Sequence, residues 1–256
     1  MTRAILVGAV LCTSAFSWFL AGTHRVAAGL STPAADSATR ITAKAVWNPT
    51  PDELSNIRRK CTEGDPPQHE VCFLDAMKTA GASAEAMAFV KDFAPNGLAY
   101  VRAFRDTGRV DIAYIEYLFR ANDLDGVLLV NGAPPIIDVD DYKFVSQEDL
   151  RKNADYAALL QKYPNTNVFP ADRYHPEQPV ATSSANGGQE FQVEYLLQDG
   201  CHACARIGTL VMSFEFGSSG GFTEARVKEI RLGDDTDRPA LSRRPKSGDT
   251  LPKEAA

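Results

Sequence analysis

The spacing of hydrophobic residues changes near residue 109, and the change divides the chain into a helical part and a strand-rich part. Before it, apolar residues tend to recur every three or four positions, as they do on one face of a helix. Thr50 begins the clearest helix, because it can cap the helix, Pro51 suits the first helical position, and Glu53 can return a hydrogen bond to the cap. The predicted helices span residues 51–60, 69–78, 84–94 and 98–105.

After residue 109 the pattern becomes that of β-strands. Residues 110–119, VDIAYIEYLF, are rich in β-branched and aromatic side chains and are mostly apolar on both faces, which predicts a strand covered on both sides. Residues 191–197 and 210–216 alternate apolar and polar positions, as half-buried strands do. The predicted strands are residues 110–119, 127–130, 191–197, 210–216 and 222–232.

These elements predict an α+β fold, with an N-terminal helical subdomain followed by a mostly antiparallel sheet that ends in a three-stranded meander. The helical subdomain is expected at residues 46–108 and the β-rich subdomain at 109–232, with one helix near 146–163. Because the helices come early and the strands late, a parallel arrangement of alternating strands and helices is disfavoured.

Both ends of the chain differ in composition from this central region. Residues 1–28 have a basic start and an uncharged apolar run followed by small residues, which predicts a cleaved signal peptide and export to the periplasm or the extracellular space. An uncleaved membrane anchor is the alternative interpretation. Residues 29–45 are small and polar and predict a flexible leader, and the charged segment 233–256 predicts a disordered tail.

The charge balance disfavours one class of function. The whole chain has 27 Lys and Arg against 33 Asp and Glu, a net charge of −6. Removal of residues 1–28 takes away Arg3 and Arg25 and no acid, so the mature chain carries −8. Nucleic-acid-binding proteins usually show a basic excess, so no nucleic-acid partner is expected.

Four of the five cysteines remain after the expected cleavage, and an even number in an exported chain favours disulfides. Cys61 and Cys72 flank a short, turn-rich segment between two predicted helices, so a bond between them would fasten a helical hairpin. On the loop-entropy model such a bond is worth about 3 kcal/mol.

The other pair, Cys201 and Cys204, lies in the stretch QDGCHACA, and its spacing is compatible with a redox site, part of a metal site or a structural disulfide. A thioredoxin-like redox site places its C-x-x-C motif at the start of a helix, whose N-terminus activates the first thiol. Here a turn precedes the pair and a predicted strand follows it, so a local structural disulfide at a hairpin tip is favoured. The redox alternative would use Cys201 as nucleophile, Cys204 as resolving thiol and His202 to lower the thiol pKa. A metal site is disfavoured, because three adjacent ligands are too crowded to form a complete set.

Few other residues suggest chemistry. His175 and Arg173 lie in a loop bracketed by prolines and are candidate binding residues, together with His202. The acidic run at 138–141 is expected to be a solvated turn, and the NDLDG sequence at 122–126 lacks the ends of a calcium-binding loop. No serine-hydrolase motif or phosphate-binding glycine loop is present, and neither a metal nor a cofactor is expected.

The sequence therefore favours an exported, non-catalytic binding or accessory protein, stabilised by disulfides. Its expected partner is an envelope or extracellular protein or a small ligand, and no stable membrane span is expected after signal cleavage. The alternative function is that of a thiol–disulfide oxidoreductase that uses Cys201 and Cys204.

Overall fold

The structure is a computed structural model that describes residues 40–62, 66–120, 124–141, 143–171, 178–184 and 186–233. In this part of the chain, helices in the N-terminal region are followed by two antiparallel sheets, which confirms the predicted α+β class. The predicted signal peptide, most of the predicted leader and all but the first residue of the predicted tail lie outside the described residues.

The described residues form five α-helices, and the first begins at the predicted Thr50 cap. Thr50 and Glu53 form a complete capping box, and the Ser83 hydroxyl accepts a hydrogen bond from the Ala86 N–H. The single helix expected near 146–163 is two helices, because the side chain of Asn153 caps a new start. The helices are α1 (Pro51–Cys61), α2 (Pro66–Thr79), α3 (Ala84–Phe93), α4 (Gln147–Leu150) and α5 (Ala154–Lys162).

Nine strands form the two sheets of the described residues. The first sheet has the order β1-β2-β3-β4, and the second has the order β5-β7-β8-β9. Strand β6 also pairs with β7, along a different part of that strand from β5. The strands of the first sheet are β1 (Ala99–Arg105), β2 (Asp111–Tyr117), β3 (Asp125–Val130) and β4 (Ile136–Asp138). Those of the second are β5 (Thr166–Pro170), β6 (Val180–Ser183), β7 (Gln189–Asp199), β8 (Arg206–Phe216) and β9 (Phe222–Leu232). The predicted C-terminal meander is β7-β8-β9.

The helix predicted at residues 98–105 is wrong, since this segment is strand β1. Gly97, with a φ of 118°, ends a short 3₁₀-helix in a conformation that favours glycine. The chain then pairs antiparallel with β2, from Ala99 opposite Tyr117 to Arg105 opposite Ile112. Pairing with a distant strand therefore decided the structure of a segment whose local pattern was ambiguous.

The predicted flexible leader is also wrong at its C-terminal end. Residues 43–45 form a 3₁₀-helix in which Ala45 is buried. Arg40 donates a hydrogen bond of 2.7 Å to Asp111 at the start of β2. The N–H of Trp47 donates to the Val101 carbonyl of β1. Residues 40–47 therefore belong to the folded body.

Two hydrophobic clusters form the core, and β2 contributes to both. Ile112 and Tyr114 pack in a cluster between the first sheet, the second sheet and α5. Ala113 and Ile115 pack in a second cluster that includes side chains of α1, α2 and α3. Every residue of β2 is buried, which confirms that this strand is covered on both faces.

A disulfide joins the first two helices, as predicted. Cys61 at the end of α1 is bonded to Cys72 in α2, with their Cα atoms 5.6 Å apart. Arg58 in the same turn of α1 donates a hydrogen bond of 2.8 Å to Glu116 of β2, whose other carboxylate oxygen accepts from the Tyr100 hydroxyl. The disulfide and this ion pair together fasten the helical hairpin to the first sheet.

Candidate functional site

The C-x-x-C motif lies at the tip of the hairpin that joins β7 to β8. Cys201 and Cys204 are joined by a disulfide, with Cα atoms 5.0 Å apart. The Cys204 N–H donates a hydrogen bond to the Cys201 carbonyl, which closes the turn between the two bonded cysteines. Gly200 precedes the pair at a φ of 102°, a conformation open mainly to glycine. Strand β8 begins two residues after Cys204, so the structure places a strand where a thioredoxin-like site needs a helix.

Two hydrogen bonds hold the tip against β5 and the residue before it, and a third closes the tip itself. The Gly200 N–H donates to the Asn165 carbonyl at 3.1 Å, and the Asn167 amide donates to the Gly200 carbonyl at 2.5 Å. The Asp199 N–H closes the base of the turn by donating to the Ala205 carbonyl. These bonds, with the disulfide, hold a loop of six residues in one conformation.

His202 is exposed at the tip and packs edge-on against an aromatic ring of β5. Its ring centroid lies 5.1 Å from that of Phe169, with an interplanar angle of 86°. Cys201 and Ala203 beside it are exposed as well. The tip therefore exposes the imidazole of His202 to solvent, with the ring of Phe169 packed against it.

An open cleft lies beside the tip, where three segments of the chain meet. It has a volume of about 410 Å³ and is polar along most of its wall. Gln147 and Arg151 come from α4 and the residue after it, residues 164–167 from the turn into β5, and Gly200 from the tip. Its lining residues are Gln147, Arg151, Pro164, Asn165, Thr166, Asn167 and Gly200.

The outer face of the second sheet is covered by its own charged side chains. Lys228 pairs with Glu190, and Arg231 pairs with Glu194, so both pairs join β9 to β7 across β8. Beneath them Ser213 of β8 is fully buried and donates a hydrogen bond to Glu190. Because these charged side chains pair with one another, this face offers few unpaired charges to a partner.

The acidic run at 138–141 differs from its prediction as a solvated turn. Asp138 is half-buried and accepts hydrogen bonds from the Tyr117 hydroxyl and the Asp140 N–H. Burial raises the pKa of the Asp138 carboxyl above its usual value. Asp141 instead pairs with Lys143 at 2.8 Å. Within the described ranges, no three His, Cys, Asp or Glu side chains come together as metal ligands.

Two sequence-predicted binding residues, Arg173 and His175, lie outside the described residues, so their role stays a prediction. The segment that follows them is anchored to the first sheet. The Gln178 carbonyl accepts a hydrogen bond of 2.6 Å from the Tyr114 hydroxyl, and the Pro179 carbonyl accepts one from Arg105. Residues 178 and 179, which lead into β6, are therefore fixed to the first sheet.

Sequence reasoning missed the cleft. Arg151 is an ordinary charged residue in the sequence, and Asn165 lies just beyond the helix predicted near 146–163. Only the pairing of β5 with β7 brings these residues to the tip, and no short motif signals that pairing.

Comparison with known proteins finds no matching family model, no similar curated protein and no similar solved structure. None of the helices that the structure describes is both long enough and apolar enough to cross a membrane.

Proposed function

We propose that this chain is an exported, non-catalytic binding or accessory protein whose contact surface is the disulfide-fastened tip of the β7–β8 hairpin. The observation that carries the proposal is the position of the Cys201–Cys204 bond in a turn between two strands. Disulfides persist in oxidising compartments, and the two pairs of this chain are compatible with export.

The alternative, a thiol–disulfide oxidoreductase, lacks support in the surroundings of the pair. A helix N-terminus or a nearby cation is what stabilises the thiolate of an attacking cysteine. Cys204 is followed by β8, and the ring of His202 packs on Phe169. A reduced Cys201 in this setting is expected to attack other disulfides slowly at neutral pH.

The tip is a better contact surface than the outer face of the second sheet. On the sheet face, charged side chains already pair with one another across the strands. At the tip, a disulfide and three hydrogen bonds fix an exposed loop before any partner arrives. Binding to a preorganised loop loses less conformational entropy, so more of the interaction energy appears as affinity.

An insulin-reduction assay separates the two functions. We expect the purified mature chain, supplied with a thiol reductant, to reduce insulin no faster than its C201A/C204A variant.

The C61A/C72A variant is the matched control, because it removes the other disulfide and leaves the tip intact. Turnover by the wild type and by this control, lost on Cys201→Ala, would establish the oxidoreductase and overturn the proposal.

A further inference from the structure

We propose that the cleft beside the tip binds a small sugar acid, with the Arg151 guanidinium pairing the carboxylate and the amides around it bonding the hydroxyls. This inference deepens the proposed function and rests on it. It names the class of ligand that one side of the contact surface would take.

The wall of the cleft contains a cation and polar groups but no acid. The cleft is lined by one guanidinium, three primary amides and one hydroxyl, with no acidic side chain among its seven residues. The whole chain carries 33 acids against 27 basic residues. A concave, acid-free surface with a cation in such a chain suits an anionic ligand.

The guanidinium of Arg151 is open to a ligand. Arg151 is exposed, and its side chain makes no hydrogen bond or ion pair with the residues that the structure describes. Other arginines, such as Arg58 and Arg226, pair with carboxylates of the chain itself. The planar guanidinium of Arg151 is therefore available for the paired hydrogen bonds that it forms with a carboxylate.

Two side-chain amides of the cleft, those of Gln147 and Asn167, are oriented by hydrogen bonds to the protein. The Oε1 of Gln147 accepts a hydrogen bond of 2.8 Å from the hydroxyl of Tyr156, a residue with 0% exposure. That bond leaves the Nε2 hydrogens of Gln147 as donors. The Nδ2 of Asn167 donates to the Gly200 carbonyl, which leaves its Oδ1 as an acceptor. A sugar hydroxyl can accept from one amide and donate to the other.

The residues that line the cleft are held in place before a ligand binds. Thr166 donates its hydroxyl hydrogen to the Tyr163 carbonyl at 2.7 Å. Gly200 is fixed by its bond to the Asn165 carbonyl and by the neighbouring disulfide. A volume of about 410 Å³ is large enough for one monosaccharide unit, and the broad opening would admit such a unit within a longer chain.

Titration of the mature chain by two-dimensional NMR tests the inference, with glucuronate, glucose and inorganic phosphate as probes. We expect glucuronate to shift signals of the cleft and to bind roughly tenfold more tightly than glucose, because only the acid engages Arg151. Phosphate should bind more weakly than glucuronate, because it cannot use the amides in the same way. The variants R151Q and N165A should each weaken glucuronate binding, with R151Q losing roughly tenfold.

The matched control is R109Q, which changes an exposed arginine on the β1–β2 turn, away from the cleft. Its glucuronate affinity should equal that of the wild type. Equal binding of glucose and glucuronate, binding of phosphate as tight as that of glucuronate, or an unchanged affinity of R151Q would overturn the inference. So would the absence of any shift. Each of these results is distinct from a failure of the proposed function, which would appear as insulin turnover.

Discussion

Replacement of Asp111 by alanine is expected to lower the free energy of unfolding by about 3–5 kcal/mol, because several donors lose their acceptor and each buried donor left unpaired costs about 1–3 kcal/mol. Asp111 is fully buried at the start of β2. One carboxylate oxygen accepts from Arg40 and Asn131, both at 2.7 Å, and the other accepts from the N–H groups of Thr107 and Gly108. Alanine would leave these donors without their acceptor, and Asn131 would lose a contact that helps to hold it at a φ of 69°.

Urea denaturation followed by fluorescence measures this loss. The Arg40→Ala variant is the control, because the Arg40 side chain is 52% exposed and its removal leaves the other three donors in place. We expect that variant to lose only about 2 kcal/mol, the value of one hydrogen bond to a charged group, because the carboxylate keeps the Asn131 amide and two backbone N–H groups as donors. A loss of similar size in both variants would show that the Arg40 bond alone accounts for the effect, and would contradict a stabilising role for the other three donors.

Removal of the Cys61–Cys72 disulfide is expected to cost about 3 kcal/mol of stability, because the open chain gains entropy in its unfolded state. The bond spans 11 residues and fastens α1 to α2, which are 11 and 14 residues long. Isolated helices of that length are marginal in water. The loss should therefore appear both in the unfolding free energy and as faster hydrogen exchange in α1 and α2.

The C201A/C204A variant supplies the comparison for C61A/C72A. Its bond spans only 3 residues, so the same model predicts a smaller loss of about 2 kcal/mol. Hydrogen exchange should then increase at the hairpin tip and stay unchanged in the helices. Equal losses for the two variants would contradict the dependence on loop length.

Local sequence signals predicted the parts of the fold that depend on local contacts. The capping box at Thr50 and Glu53 lies within one turn of helix, and the two apolar faces of β2 are visible in its residue types. The turn between β7 and β8 was predicted from the glycine and the polar residues before Cys201. In each case the residues that decide the structure are close together in the sequence.

The errors concern contacts between distant residues. Strand β1 exists because it pairs with β2, and its own sequence is compatible with a helix. Arg40 belongs to the folded body because it reaches Asp111, 71 positions away. The cleft combines α4, the turn before β5 and the hairpin tip, so no spacing in the sequence indicates it.

We propose that two local disulfides fasten an exported binding protein and that neither pair works as a free dithiol. The most direct test is non-reducing peptide mapping of the protein recovered from its own cells, with free thiols alkylated before lysis. We predict two linked species, one joining Cys61 to Cys72 and one joining Cys201 to Cys204, and no peptide from residues 1–28. Alkylated Cys201 and Cys204 in most molecules, or a bond between Cys61 or Cys72 and the hairpin tip, would contradict the account.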